Sequence, residues 1–79
     1  MMVRVKMIAN YRAALPPEAK NGVVEMDVPS GSTVYDVISR FDIPLNDESV
    51  IVLNGLTMDM STPLKDGDMI TAFSAIAGG

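Results

Sequence analysis

The sequence contains no cysteine, no histidine and no tryptophan. Without cysteine there is no disulfide framework, no thiolate nucleophile and no thiolate metal ligand. Without histidine as well, the commonest nucleophile–base pairs and most zinc and iron sites are excluded. Basic residues are few: six Lys and Arg stand against ten Asp and Glu, for a net charge of −4. That balance opposes binding to nucleic acid or to an anionic membrane. No apolar run approaches the length that spans a bilayer. The opening MMVRVKMIANYR alternates charged and apolar residues. It lacks the unbroken apolar core of a signal peptide. The expectation is a cytoplasmic protein that engages neither nucleic acid nor membrane.

What is present is a globular composition. The 79 residues are 48% hydrophobic, enough for one small domain. Residues 2–9 alternate as a strand, with Val3, Val5, Met7 and Ala9 on one face and Arg4, Lys6 and Ile8 on the other. Residues 10–21 read as a loop, with a turn of helix over residues 11–15. Residues 23–28 form a second alternating strand. PSGST then breaks the pattern, and Thr33 with Asp36 has capping-box spacing. Val34, Val37, Ile38 and Phe41 follow at i, i+3, i+4 and i+7, which predicts a helix of about nine residues. A helix that short is held only by packing. Residues 50–53 read as a buried strand, Asn54-Gly55 as a tight hairpin turn and residues 56–58 as the return. Residues 59–65 are irregular, KDGD is a turn centred on Gly67, and residues 69–75 are the last strand.

One sheet covered on one face by one main helix satisfies every apolar stripe found, which is an α+β arrangement. If the last strand pairs with the first in the sheet centre, the fold is a β-grasp with a mixed sheet of four to five strands. Residues 1–74 would be the domain and residues 75–79 a flexible tail.

Side-chain chemistry is sparse. The ten carboxylates fall mostly in turns and on strand surfaces, where solvated charge is the expected role. Asp66-Gly67-Asp68 lacks the remaining ligands of a calcium loop and reads as a turn. No glycine-rich phosphate cradle is present. The seven methionines mostly occupy strand-like positions and read as core filler. No metal site and no bound cofactor are expected, and a conventional enzyme site is not expected. What remains is the ending AFSAIAGG, in which small residues lead to Gly78-Gly79.

With VRVKMIA as first strand, VPSGSTVYDVI leading into the helix, VLNG, PLKDGDMI and this ending, the chain resembles the ubiquitin-like sulfur carriers. These are the small subunit of molybdopterin synthase and the sulfur carrier of thiamine thiazole synthesis. The resemblance spans nearly the whole chain. LKDGD and the terminal GG carry most of it. It implies a β-grasp fold whose C-terminal Gly79 carboxylate is adenylated with ATP by a partner of the ubiquitin-activating type. A sulfur donor then converts the acyl-adenylate to a thiocarboxylate. ATP would be used by the partner and not held by this chain. The large subunit of molybdopterin synthase, or thiazole synthase, would receive the tail. The aromatic Phe73, six residues before Gly79, places the ending nearer the molybdopterin-synthase type. It departs from that type in lacking prolines between the aromatic and the glycines.

The residues suit such a role on physical grounds. An acyl-adenylate survives only where water is excluded, and a chain without Cβ atoms enters a narrow tunnel most easily. Gly78 and Gly79 meet that requirement, and Ala75 and Ala77 add little bulk. Ordering a free tail of four or five residues costs on the order of 5–10 kcal/mol, so a docking surface on the domain is needed. If Ile70 and Ala72 face the helix, Thr71 and Phe73 face out and Ile8 stands near Phe73. Phe73 and Ile76, buried in a partner, would contribute roughly 1.5–3 kcal/mol each. The competing expectation places Phe73 and Met69 in the core. A ubiquitin-like modifier conjugated through Gly79, and a non-catalytic β-grasp interaction module, are the other functional readings.

Overall fold

The computed structural model describes residues 1–75. Five strands form one sheet in the order β2-β1-β5-β3-β4. They are β1 (Met2–Met7), β2 (Val23–Asp27), β3 (Ser49–Leu53), β4 (Leu56–Thr57) and β5 (Met69–Ser74). β1 and β5 run parallel in the centre and every other pair is antiparallel. This is the β-grasp arrangement. One α-helix, α1 (Val34–Ile38), and one 3₁₀ helix (Ala9–Ala14) complete the elements.

β1 alternates between exposed and buried at every residue. Val3, Val5 and Met7 therefore join Ile70 and Ala72 of β5 and Val24 of β2 beneath α1, whose Val34, Val37 and Ile38 close the core. The alternation read in the sequence is thus the inside–outside period of the sheet.

α1 is shorter than the apolar stripe predicts. Its start is as expected: Asp36 N–H donates to Thr33 Oγ1 at 3.1 Å and Thr33 N–H donates to Asp36 Oδ2 at 2.9 Å. After Ile38 the chain tightens, with Arg40 N–H donating to Val37 and Phe41 N–H to Ile38, both three residues back. Phe41 still packs on the core, so the stripe is used in full but ends in 3₁₀-like turns. The irregular residues 59–65 have a defined task. Val34 N–H donates to Thr62 C=O at 3.0 Å and Tyr35 N–H to Met60 C=O at 2.9 Å. Amides that a helix start leaves unbonded are thereby satisfied within the chain.

Two turns act together. Asn54 and Gly55 take φ of 52° and 83°, the left-handed values of a two-residue hairpin turn. The Asn54 amide donates through Nδ2 to Asp68 Oδ1 at 3.0 Å, and its Oδ1 accepts from Met69 N–H at 2.9 Å. Asp68 also accepts from Lys65 N–H at 2.7 Å. Asp66 Oδ1 accepts from Met2 N–H at 2.7 Å, and Gly67 N–H donates to Met2 C=O at 2.7 Å. The carboxylates of KDGD are therefore committed to backbone amides, which fix where β5 starts beside β1.

Every strand differs from expectation at one end: β2 ends at Asp27, β3 begins at Ser49 and β4 ends at Thr57, each shifted by one residue. β1 stops at Met7 because Ala9 turns to φ 55° and opens the 3₁₀ helix. β5 ends at Ser74, one residue early.

Candidate functional site

Ile70 and Ala72 of β5 are fully buried. Their neighbours Thr71 and Phe73 are half-buried on the opposite face. Phe73 stands opposite Val50 of β3, and Thr71 lies between Lys6 of β1 and Val52 of β3. The expectation that Phe73 and Met69 enter the core is not met. Both fall on the outer face, since strand side chains alternate.

Met7 is opposite Ala72 in the parallel register. One step further brings Ile8 abreast of Phe73. Ile8 lies just past β1, is 40% exposed, and its N–H donates to Ala72 C=O at 3.2 Å. Ile8, Phe73 and Val50 thus form an apolar row from the end of β1 across β5 to β3, on the face that no helix covers. Arg4 and Lys6 are exposed on the same face, giving the β1 side of the row a positive border on an otherwise acidic chain.

The residue just past β5 is fastened to the start of β3. Ala75 N–H donates to Glu48 C=O at 2.8 Å. The Tyr11 hydroxyl donates to the same carbonyl at 3.3 Å and bonds Ser49 Oγ at 2.6 Å. Tyr11 is only 7% exposed, so the 3₁₀ helix is pinned to the start of β3 where the chain leaves the sheet. Sequence reading did not single out Tyr11. Its signal was a lone aromatic in a segment of small and polar residues.

Of the expected site residues, Ile8 and Phe73 are brought together, and Ala75 is exposed at the end of the last strand. Ile76, Ala77, Gly78 and Gly79 lie outside the described residues. Among the described residues no group of three or more His, Cys, Asp and Glu is placed to hold a metal ion. No helix among them is long and apolar enough to cross a membrane.

Three comparisons bear on this geometry. SAMP1 from Haloferax volcanii has a structure similar to this chain over 100% of both chains, with a TM-score of 0.78 at 20% identity. A second structure, of the small archaeal modifier protein 1 of H. volcanii, covers 95% of this chain and 98% of its own, with a TM-score of 0.75 at 19% identity. A Pyrococcus furiosus protein described as a candidate molybdopterin converting factor, subunit 1, covers 95% and 98%, with a TM-score of 0.73 at 25% identity. A comparison with curated proteins gave no match. The family model described as Mut7-C ubiquitin matches residues 1–77. With that match over nearly its full length, the chain belongs to the Mut7-C ubiquitin family.

Proposed function

We propose that this protein is a sulfur carrier that works through the carboxylate of Gly79. A partner enzyme of the ubiquitin-activating type joins that carboxylate to AMP from ATP, with release of pyrophosphate. Sulfide supplied by a sulfur donor then displaces AMP and leaves a thiocarboxylate. The sulfur is used in cofactor synthesis, with molybdopterin as the first candidate acceptor and the thiamine thiazole as the second. ATP is the partner's substrate, and this chain supplies no catalytic side chain.

The observation that carries the reading is the apolar row Ile8–Phe73–Val50 beside the anchored end of β5. A partner docked on that face lies beside Ala75, the residue just past β5, and burial of Phe73 and Ile8 supplies binding energy there. The likeness to the Pyrococcus furiosus protein favours molybdopterin synthase, whose large subunit would then be a second partner on the same face.

The likeness to SAMP1 favours a second reading, in which the activated Gly79 is transferred to lysine amines of other proteins. Intact mass separates the two. Incubation with the activating enzyme, ATP and a sulfur source gives the thiocarboxylate if the chain is a carrier. Adducts in cell lysate that vanish on deletion of Gly79 indicate a modifier. Binding that survives deletion of residues 75–79 with no modification leaves only an interaction module.

A further inference from the structure

Charge is divided unevenly along the chain. Between Arg40 and Lys65 there is no basic residue, and Asp42, Asp47, Glu48 and Asp59 fall in that stretch. The other six Asp and Glu are matched in number by the six Lys and Arg, so the net charge of −4 resides in residues 41–64. Elsewhere the carboxylates of Asp27, Asp36, Asp66 and Asp68 are bonded to amides or to the N-terminal amine. Those of Asp42, Asp47, Glu48 and Asp59 are exposed and take no hydrogen bond or ion pair among the described residues.

The same stretch carries apolar side chains that the fold leaves partly uncovered. Ile51 stands opposite the buried Ala72, so it faces the α1 side of the sheet, away from Val50 and Phe73. Met58 and Met60 pack against the core. With Leu45, which is 44% exposed, these three line a groove of about 320 Å³. Leu56, two residues before Met58 and 73% exposed, extends the apolar surface along β4. The one charged residue lining the groove is Asp47. Asp42 and Glu48 line the hollow between the same segment and the 3₁₀ helix. Neither lining includes a Lys or Arg. Arg40 lines the hollows beside β2 and Pro29 instead.

Charge and lining together select the occupant. Carboxylates with no cation among them attract basic side chains and repel acidic ones. Methionine is unbranched and adapts to apolar side chains of different shape. A second copy is a poor occupant, because two grooves meeting about a two-fold axis would set Asp47 against Asp47. An anionic membrane is repelled in the same way. An added strand would find little ladder to extend, since β4 has two residues. A helix needs no ladder, and an amphipathic one presents apolar side chains on one face and cations beside them.

We propose that the groove of Leu45, Ile51, Met58 and Met60 is a docking site for a basic amphipathic helix of a partner protein. Apolar side chains one helical turn apart enter the groove. The Lys or Arg side chains that flank them meet Asp47 and the unpaired carboxylates of the same stretch. Ile51 and Val50 face opposite sides of the sheet, so this helix and a partner on the Phe73 face can be bound together. The site serves whether or not Gly79 carries sulfur.

The probe is a synthetic peptide, Lys-Ala-Leu-Lys-Ala-Leu-Leu-Lys-Ala-Leu-Lys-Ala, blocked at both ends. It is titrated into the isotope-labelled full chain and followed by two-dimensional amide spectra. Shifts at Leu45, Asp47, Ile51, Met58 and Met60 are expected. A twin peptide with Glu at each Lys keeps the apolar face and should bind about tenfold more weakly or worse. Leu45→Ser leaves every carboxylate in place and should weaken the basic peptide about fivefold or more. Asp47→Lys with Asp59→Lys should reverse the preference between the two peptides. Both variants change exposed side chains, and the twin peptide needs no variant at all. The proposal is overturned if the basic peptide does not bind, if its shifts centre on Ile8 and Phe73, or if the acidic twin binds as well. Binding that Leu45→Ser leaves unchanged, a preference that the double exchange does not move, or a dimer formed through the groove would also overturn it.

Discussion

The amide of Ala75 donates to the carbonyl of Glu48 at 2.8 Å, so the last described residue of the chain is fastened to the start of β3. The Tyr11 hydroxyl reaches the same carbonyl. The sheet therefore holds the chain in place through Ala75. A partner that docks on the outer face meets β5 and Ala75 held in a fixed position.

Tyr11→Phe removes both bonds of the hydroxyl while keeping the ring. With Ser49 Oγ and Glu48 C=O each losing a partner, stability should fall by about 1–2 kcal/mol. Urea unfolding measures this. Amide exchange at Ala75 should quicken in the same variant, because the carbonyl that holds it has lost its second support.

Phe73→Ser tests the outer face. Phe73 lies on the opposite face from the core, so the fold should lose less stability than in Ile70→Ala, which empties a fully buried site at about 2–5 kcal/mol. Affinity for the activating enzyme should nevertheless drop by roughly 10- to 150-fold, equivalent to about 1.5–3 kcal/mol of lost burial. Chemical denaturation and titration calorimetry give the two numbers.

Asn54→Ala tests the joined turns. It loses the side-chain bonds to Asp68 and Met69 and places a Cβ residue without side-chain help at a φ of 52°. A loss of about 2–3 kcal/mol is expected in urea. Asn54→Gly keeps the backbone freedom and loses only the bonds, so it should sit between Ala and the natural residue.

Thr33→Ala removes one arm of the capping box and should cost about 1 kcal/mol. Thr33→Ser should restore most of it. Thermal unfolding followed by circular dichroism is sufficient.

Much of this architecture was legible because each local signal had one physical reading. The alternation in VRVKM could only be a half-buried strand, and Thr33-to-Asp36 spacing before an apolar stripe could only be a helix start. Asn54-Gly55 marked its hairpin by backbone conformation alone. The outward placing of Phe73 followed from period two once Ile70 and Ala72 were put inside. What was not legible came from contacts distant in sequence. The short α1 depends on tight turns after Ile38 that the apolar spacing does not distinguish from helix. The bonds from Val34 and Tyr35 to residues 59–65, the clip between Asn54 and Asp68, and the reach of Tyr11 to Ser49 join segments that no window of sequence contains. The groove of Leu45, Ile51, Met58 and Met60 was equally hidden, since it joins separate segments of the chain.

The central claim is that Gly79 carries the chemistry. It is tested most directly by the intact mass of the natural protein after incubation with its activating enzyme, ATP and a sulfur source. The account predicts exchange of one carboxylate oxygen for sulfur, located at Gly79 by fragmentation and absent when Gly79 is deleted from a chain that still folds. A terminus left unchanged by a competent partner, or a modification that survives loss of Gly79, would contradict it.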